Sequence, residues 1–107
     1  MNSRSAVLRG SARRDVEEAV AHYLDAGGAK AALGFIEELE GALGHISRHP
    51  GSGSPRCGQE VNLAGLCSWP LTSYPHVVFY MEGRTTVDVW RVLHGRRDIP
   101  ASLREGP

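Results

Sequence analysis

The spacing of apolar positions along this chain changes twice. Ser5-Ala6-Val7-Leu8-Arg9 is a short apolar run closed by Gly10, and it predicts a first strand at a sheet edge. The period then lengthens. Ala12, Val16, Ala19, Val20, Tyr23 and Leu24 recur at three and four, which is one face of an amphipathic helix. Ser11 is placed to cap it, and Asp15, Glu17 and Glu18 suit the positive end of its dipole. Gly27-Gly28 stops it. A second stripe follows at Ala29, Ala32, Leu33, Ile36, Leu39, Leu43 and Ile46, ending near Arg48-His49 before Pro50. Two amphipathic helices joined by so short a link predict an αα-hairpin.

Gly34, Gly41 and Gly44 interrupt the second stripe, each at a cost of roughly 1 kcal/mol against alanine. Gly34 and Gly41 fall opposite the apolar positions. They read as tolerated weak points, or as a flat surface for another backbone. Pro50-Gly51-Ser52-Gly53-Ser54-Pro55 is a loop. Beyond it the period shortens to that of strands: Leu66 to Leu71, weakened by Pro70, then His76 to Met81, then Thr85 to Leu93, the last two joined at Glu82-Gly83-Arg84. The order is strand, helix, helix, strand, strand, strand. It predicts an α+β domain with the helical hairpin on one face of a small antiparallel sheet, the other face partly open.

The chain has 107 residues, enough for one domain with a modest core. Residues 1–107 read as that single domain, with 1–4 and 101–107 as flexible ends. Twelve basic residues balance twelve acidic ones, which disfavours a chain that grips a nucleic-acid backbone by itself. Cys57 and Cys67 are the only cysteines. They read as two reduced thiols, though their spacing permits a bridge. The N-terminus has no long apolar run, so neither a signal peptide nor a membrane span is predicted.

The final strand carries the most suggestive chemistry. Val87-Asp88-Val89-Trp90-Arg91-Val92-Leu93 runs into His94-Gly95-Arg96-Arg97-Asp98, setting cationic groups at a sheet edge where an anionic or carboxylate-bearing partner could be met. Arginines beside a histidine can also stabilise a phosphorane and shuttle a proton in RNA cleavage. The plainer alternative is an Asp98–arginine ion pair that pins the strand's end. His76, at a strand start beside Tyr74, could face the same surface. His45 and His49 stand four apart, as metal ligands can, but no third ligand accompanies them, and no metal or cofactor is predicted. Trp69, Tyr74, Phe79, Tyr80 and Trp90 are read as core rather than as a stacking platform for bases. Arg4, Arg9, Arg13 and Arg14, offset by Asp15, Glu17 and Glu18, read as a solvated face. Walker, Rossmann and nucleophile-elbow motifs are all missing.

Several segments together resemble the ParE toxins of bacterial toxin–antitoxin modules, in the RelE/ParE superfamily. They are Ser11-Ala12-Arg13-Arg14-Asp15-Val16-Glu17-Glu18, Phe35-Ile36-Glu37-Glu38-Leu39, Pro50-Gly51-Ser52-Gly53, Gly65-Leu66, Val78-Phe79-Tyr80 and Arg91 through Asp98. The resemblance covers roughly residues 5 to 100 and rests on order and spacing. It implies a βααβββ fold, a bacterial cytoplasmic protein that arrests growth and stabilises plasmids, and a ParD-like antitoxin with a ribbon-helix-helix N-terminus. ParE-like members poison DNA gyrase; RelE-like members cut mRNA on the ribosome.

Two positions separate those activities. RelE-type nucleases use arginines on the last strands and a tyrosine in the tail. Arg97 matches the later arginine, His76 falls at the earlier one, and Leu103 falls at the tyrosine. Leucine cannot take a proton, so the resemblance implies a gyrase-binding protein with no catalytic residue, contacting its target through Arg91, His94, Arg96 and Arg97. A nuclease would have to rely on His76, His94 and Arg97. The antitoxin is expected in the groove between hairpin and sheet, at Val20, Tyr23, Leu24, Ile36, Leu39 and Trp90. The glycine face of the second helix offers a second site. Direct binding of nucleic acid by the chain alone is not expected, nor is a membrane. Cys67 stands where many relatives have an arginine, which leaves open a chain that keeps the fold and binds antitoxin without toxicity.

Overall fold

The computed structural model describes residues 4–107. The expected flexible end at 1–4 lies outside them for residues 1–3. Strand β1 (Ser5–Leu8) leads into α1 (Gly10–Arg48), a 3-10 turn (Pro50–Ser52) and the short helix α2 (Arg56–Glu60). Strands β2 (Leu66–Pro70), β3 (His76–Glu82) and β4 (Thr86–His94) follow, and α3 (Ile99–Arg104) closes the chain. The sheet order is β1-β4-β3-β2.

The hairpin forms within α1. Gly28 takes φ 80 and ψ −174, a conformation that side chains with a Cβ rarely adopt, and there the helix folds back on itself. The helix starts at Gly10, with Arg9 as its N-cap, so Ser11 is inside the first turn rather than capping it. The second arm buries Ala32, Phe35, Leu39, Ala42 and Ile46, while Leu33 stays 57% exposed. The buried stripe is therefore rotated from the predicted one, and it includes Phe35. Gly34 does serve packing. A Cβ there would lie 2.5 Å from the Tyr74 hydroxyl, which donates to the carbonyl of Ala31 at 2.9 Å. Gly41 does face open space.

The sheet is mixed, not purely antiparallel. β2, β3 and β4 form the expected meander, but β1 pairs with β4 in parallel, from Ser5↔Thr86 to Leu8↔Val89. Arg9 is salt-bridged to Asp88 and Arg4 to Glu82, so part of the expected solvated basic face ties β1 to its neighbours. β4 consequently lies inside the sheet as far as Val89, and only its arginine-rich end, past the end of β1, is left at an edge as expected. Phe79 pairs with Arg91 and Tyr80 with Val89, which leaves Trp90 as the extra residue of a bulge.

Both faces of the sheet are covered. Val78, Tyr80, Val87, Val89 and Val92 pack with Phe35, Leu39 and Ile46 of α1. On the opposite face, Leu66, Phe79 and Leu93 pack with Val61 and with Leu103 of α3. The face expected to be partly open carries this second core. The reason is local to the tail: Asp98 accepts the amide of Ala101 at 3.1 Å and caps α3, which drives Leu103 inward to 1% exposure. Residues 101–107 thus contain an anchored helix, not simply a flexible end. Asp98 is this cap and not the partner of an arginine. Phe79 and Tyr80 are buried, and Trp69, Tyr74 and Trp90 pack half-buried against the two cores. Cys67 packs with the α1 core and Cys57 with the opposite one, so the two thiols sit on different faces and both are free.

Candidate functional site

β1 accompanies β4 only as far as Val89, because the chain then turns into α1. The next part of β4's edge is met by a side chain. Asp15, on the second turn of α1, accepts the amide of Val92 at 3.0 Å. The same carboxylate takes Nε of Arg91 at 2.7 Å and Nη2 at 3.0 Å. Nη1 of Arg91 reaches α3, donating to the carbonyl of Ser102 at 2.9 Å and to Glu105 at 3.1 Å. The bonds to Asp15 hold the guanidinium pKa above its ordinary value, against the opposing effect of burial.

Arg91 is therefore the clamp joining α1, β4 and α3. It is 4% exposed, its donors are engaged, and it is not available as a target contact in this fold. Asp15, read from sequence as a helix-dipole residue, is its buried partner. The sequence signal was an acidic residue on the apolar side of a helix, one place before Val16.

A cleft of about 430 Å³ lies beside this clamp. The α1 arm supplies Asp15, Glu18 and His22, and the sheet supplies His76, Val92 and His94. Arg96 and Arg97 complete the rim. His76 and His94 are paired across β3 and β4, with ring centroids 5.3 Å apart. His94 Nδ1 accepts the amide of Arg96 at 3.0 Å, so its neutral ring carries the proton on Nε2. His76 is 7% exposed, not on an open surface, and packs against Phe35 at 5.0 Å between centroids. Its Nδ1 is enclosed without a hydrogen-bond partner. Burial lowers the His76 pKa, as do the neighbouring His94 and His22, with Asp15 opposing. At neutral pH the ring is uncharged.

Arg96 and Arg97 are exposed, and among the described residues neither guanidinium has a carboxylate or a hydrogen-bond acceptor. The structure therefore brings together His76, His94, Arg96 and Arg97 and withdraws Arg91. It also adds Glu18, read from the sequence only as a helix-dipole residue, and His22, which no sequence motif marked. Leu103 fills the second core, and no ionisable side chain stands in its place.

The residues expected to meet an antitoxin separate in the same way. Leu39 is part of the α1 core, and Val20, Tyr23 and Ile36 are partly buried against it. The groove between hairpin and sheet is filled by the protein's own side chains. Trp90 packs against the opposite core. Leu24, 51% exposed, keeps a free apolar surface, as does Leu33. His45 stacks on Trp69, with ring centroids 4.5 Å apart, and is 5.2 Å from His49. Among the described residues no three His, Cys, Asp or Glu gather as a metal site, and no helix is long and apolar enough to cross a membrane. Burial raises the pKa of Cys67, with a further contribution from Glu82, so the position of the expected arginine holds a protonated, half-buried thiol.

A bent helical hairpin on a four-stranded mixed sheet, with a cleft bordered by two free arginines where the last strand ends, defines a small α+β domain. Residues 6–99 match the family model described as the ParE toxin of the type II toxin–antitoxin system parDE, and the chain belongs to that family. Its fold is similar to that of a chain in the chromosomal ParDE toxin–antitoxin system from P. aeruginosa. The TM-score is 0.72 at 16% identity, over 86% of this chain and 96% of that one. No curated protein matches it significantly in sequence.

Proposed function

We propose that this ParE-family toxin acts by binding DNA gyrase and holding it with its DNA cleaved, without chemistry of its own, and that a ParD-like antitoxin neutralises it. The observation that carries this reading is Leu103. It occupies the position expected of a nuclease's tail tyrosine, and it is 1% exposed within an apolar core. Its side chain can neither take nor give a proton, and it packs in the core opposite the cleft.

The remaining groups agree. Arg91 is spent on Asp15 and α3, so it does not meet a phosphate charge. His76 is shut in and neutral, a poor proton donor at physiological pH. Exposed Arg96 and Arg97, with His94 between cleft and solvent, form a contact surface of the kind that buries bidentate charge at an interface. The likeness to a chain of a ParDE system supports the antitoxin partner. Leu24 and Leu33 supply exposed apolar anchors for it near the hairpin's tip, and Leu33 borders a hollow of about 780 Å³.

Expression in bacteria, alone and together with a ParD-like antitoxin, tests the module. Growth should stop with the toxin alone and resume with both. Unimpeded growth with the toxin alone would leave an antitoxin-binding protein without toxicity.

A further inference from the structure

We propose that the free protein pairs with a second copy of itself through the outer face of the second arm of α1, the two arms crossing antiparallel about a two-fold axis between Leu33 and Gly34. The pairing concerns the chain without an antitoxin and does not rest on gyrase as target.

Three observations on that face need a common cause. Leu33 is 57% exposed, and it lies between Lys30 and Glu37, which are exposed on the same stripe of the helix. Lys30 is the only lysine in the chain. Among the described residues, neither Lys30 nor Glu37 has an ion-pair partner. They stand about 10 Å apart along the helix axis, so within one arm they do not meet. The arm's own dipole does not explain them. Its helical backbone restarts after Gly28, which puts Lys30 in a first turn, where a cation is disfavoured.

A second copy accounts for all three. The midpoint of Lys30 and Glu37 falls between Leu33 and Gly34. Two arms running in opposite directions about that point set Lys30 of each copy against Glu37 of the other. An isologous contact needs a surface that complements itself, and this one does so in charge. Leu33 meets Leu33 of the other copy at the axis and leaves water. Beside it, the hollow of about 780 Å³ bordered by Gly27, Ala31, Gly34 and Tyr74 lets the arms come close. No carboxylate is forced against another. Glu38 is engaged in accepting the amides of Thr72 and Ser73, and Glu40 falls opposite Gly27. One pair of arms buries little surface, so the dimer is a weak one, with a dissociation constant on the order of 100 µM.

Sedimentation equilibrium of the full chain at low salt, from roughly 10 to 500 µM, tests the pairing. The expected result is a monomer–dimer equilibrium that weakens as salt rises. Lys30→Glu alone, or Glu37→Lys alone, sets like charges together and should weaken the dimer about tenfold. Both residues are exposed, so circular dichroism should be unchanged. Mixing the two single variants should restore pairing, because one copy then presents two carboxylates and the other two amines. Carbodiimide coupling of mixed light and nitrogen-15 chains should join Lys30 of one copy to Glu37 of the other. The proposal is overturned if the chain stays monomeric throughout, if mixing restores nothing, or if the coupled peptide maps elsewhere. A monomer whose Leu33 face is covered only when a ParD-like antitoxin is added would also overturn it, while leaving the antitoxin reading intact.

Discussion

Asp15 shows how one side chain can decide a structure. Its carboxylate satisfies a strand amide that β1 is too short to reach and at the same time neutralises a buried guanidinium. Asp15→Asn should cost about 3–5 kcal/mol, because it leaves Arg91 charged in the interior. Thermal unfolding should show a drop of more than roughly 10 °C; a drop of a degree or two would mean that Arg91 finds water instead. His76 makes a separate demand. Its pKa is lowered in the folded state, so the unfolded chain takes up the proton first as pH falls below 6.5. The stability associated with the neutral ring is complete above that pH and declines as pH drops toward the folded value. Denaturant midpoints measured at about pH 7.5 and about pH 5.5 should differ less in His76→Gln than in the natural chain. An equal difference in both proteins would contradict the assignment. Neither residue's role was legible in the sequence, since each depends on what a distant segment places opposite it.

At the scale of elements, much was legible. Apolar spacing marks both arms of the hairpin and the three strands of the meander, because burying one face requires that spacing. What it could not give was rotation and direction. The second arm presents Phe35 rather than Leu33 because the neighbouring Tyr23 and Tyr74 rings pack on Phe35. The parallel pairing of β1 follows from where the long helix returns the chain. The glycines separate cleanly by surroundings. Gly41→Ala should stabilise the protein by roughly 0.5–1 kcal/mol, since a Cβ there meets open space in a helix. Gly34→Ala should destabilise it, because Tyr74 must move or lose its bond to Ala31. Urea unfolding of the two variants should give midpoints displaced in opposite directions; matching displacements would show that the arm packs differently. A bulky residue at Gly41 should weaken the antitoxin complex only if the antitoxin uses that face.

For the whole molecule, charge and placement matter more than any one motif. The chain is electrically balanced, yet Arg96 and Arg97 stand unpaired beside a cleft while the similar-looking Arg91 is consumed inside. The sequence showed the arginines as one cluster because they are neighbours in the chain. The fold divides them, since α3 folds back over Arg91. The tail was least legible: Asp98 and Leu103 look like a solvated end until the cap and the second core are seen together. A toxin built this way should act through its exposed corner and not through turnover. Purified gyrase, supercoiling a relaxed plasmid in the presence of this protein, tests that claim most directly. The expected result is lost supercoiling with accumulation of cleaved DNA, and a much weaker effect from the Arg96→Ala, Arg97→Ala protein. Normal supercoiling at micromolar toxin, with translated messages found cut in cells expressing it, would contradict the account.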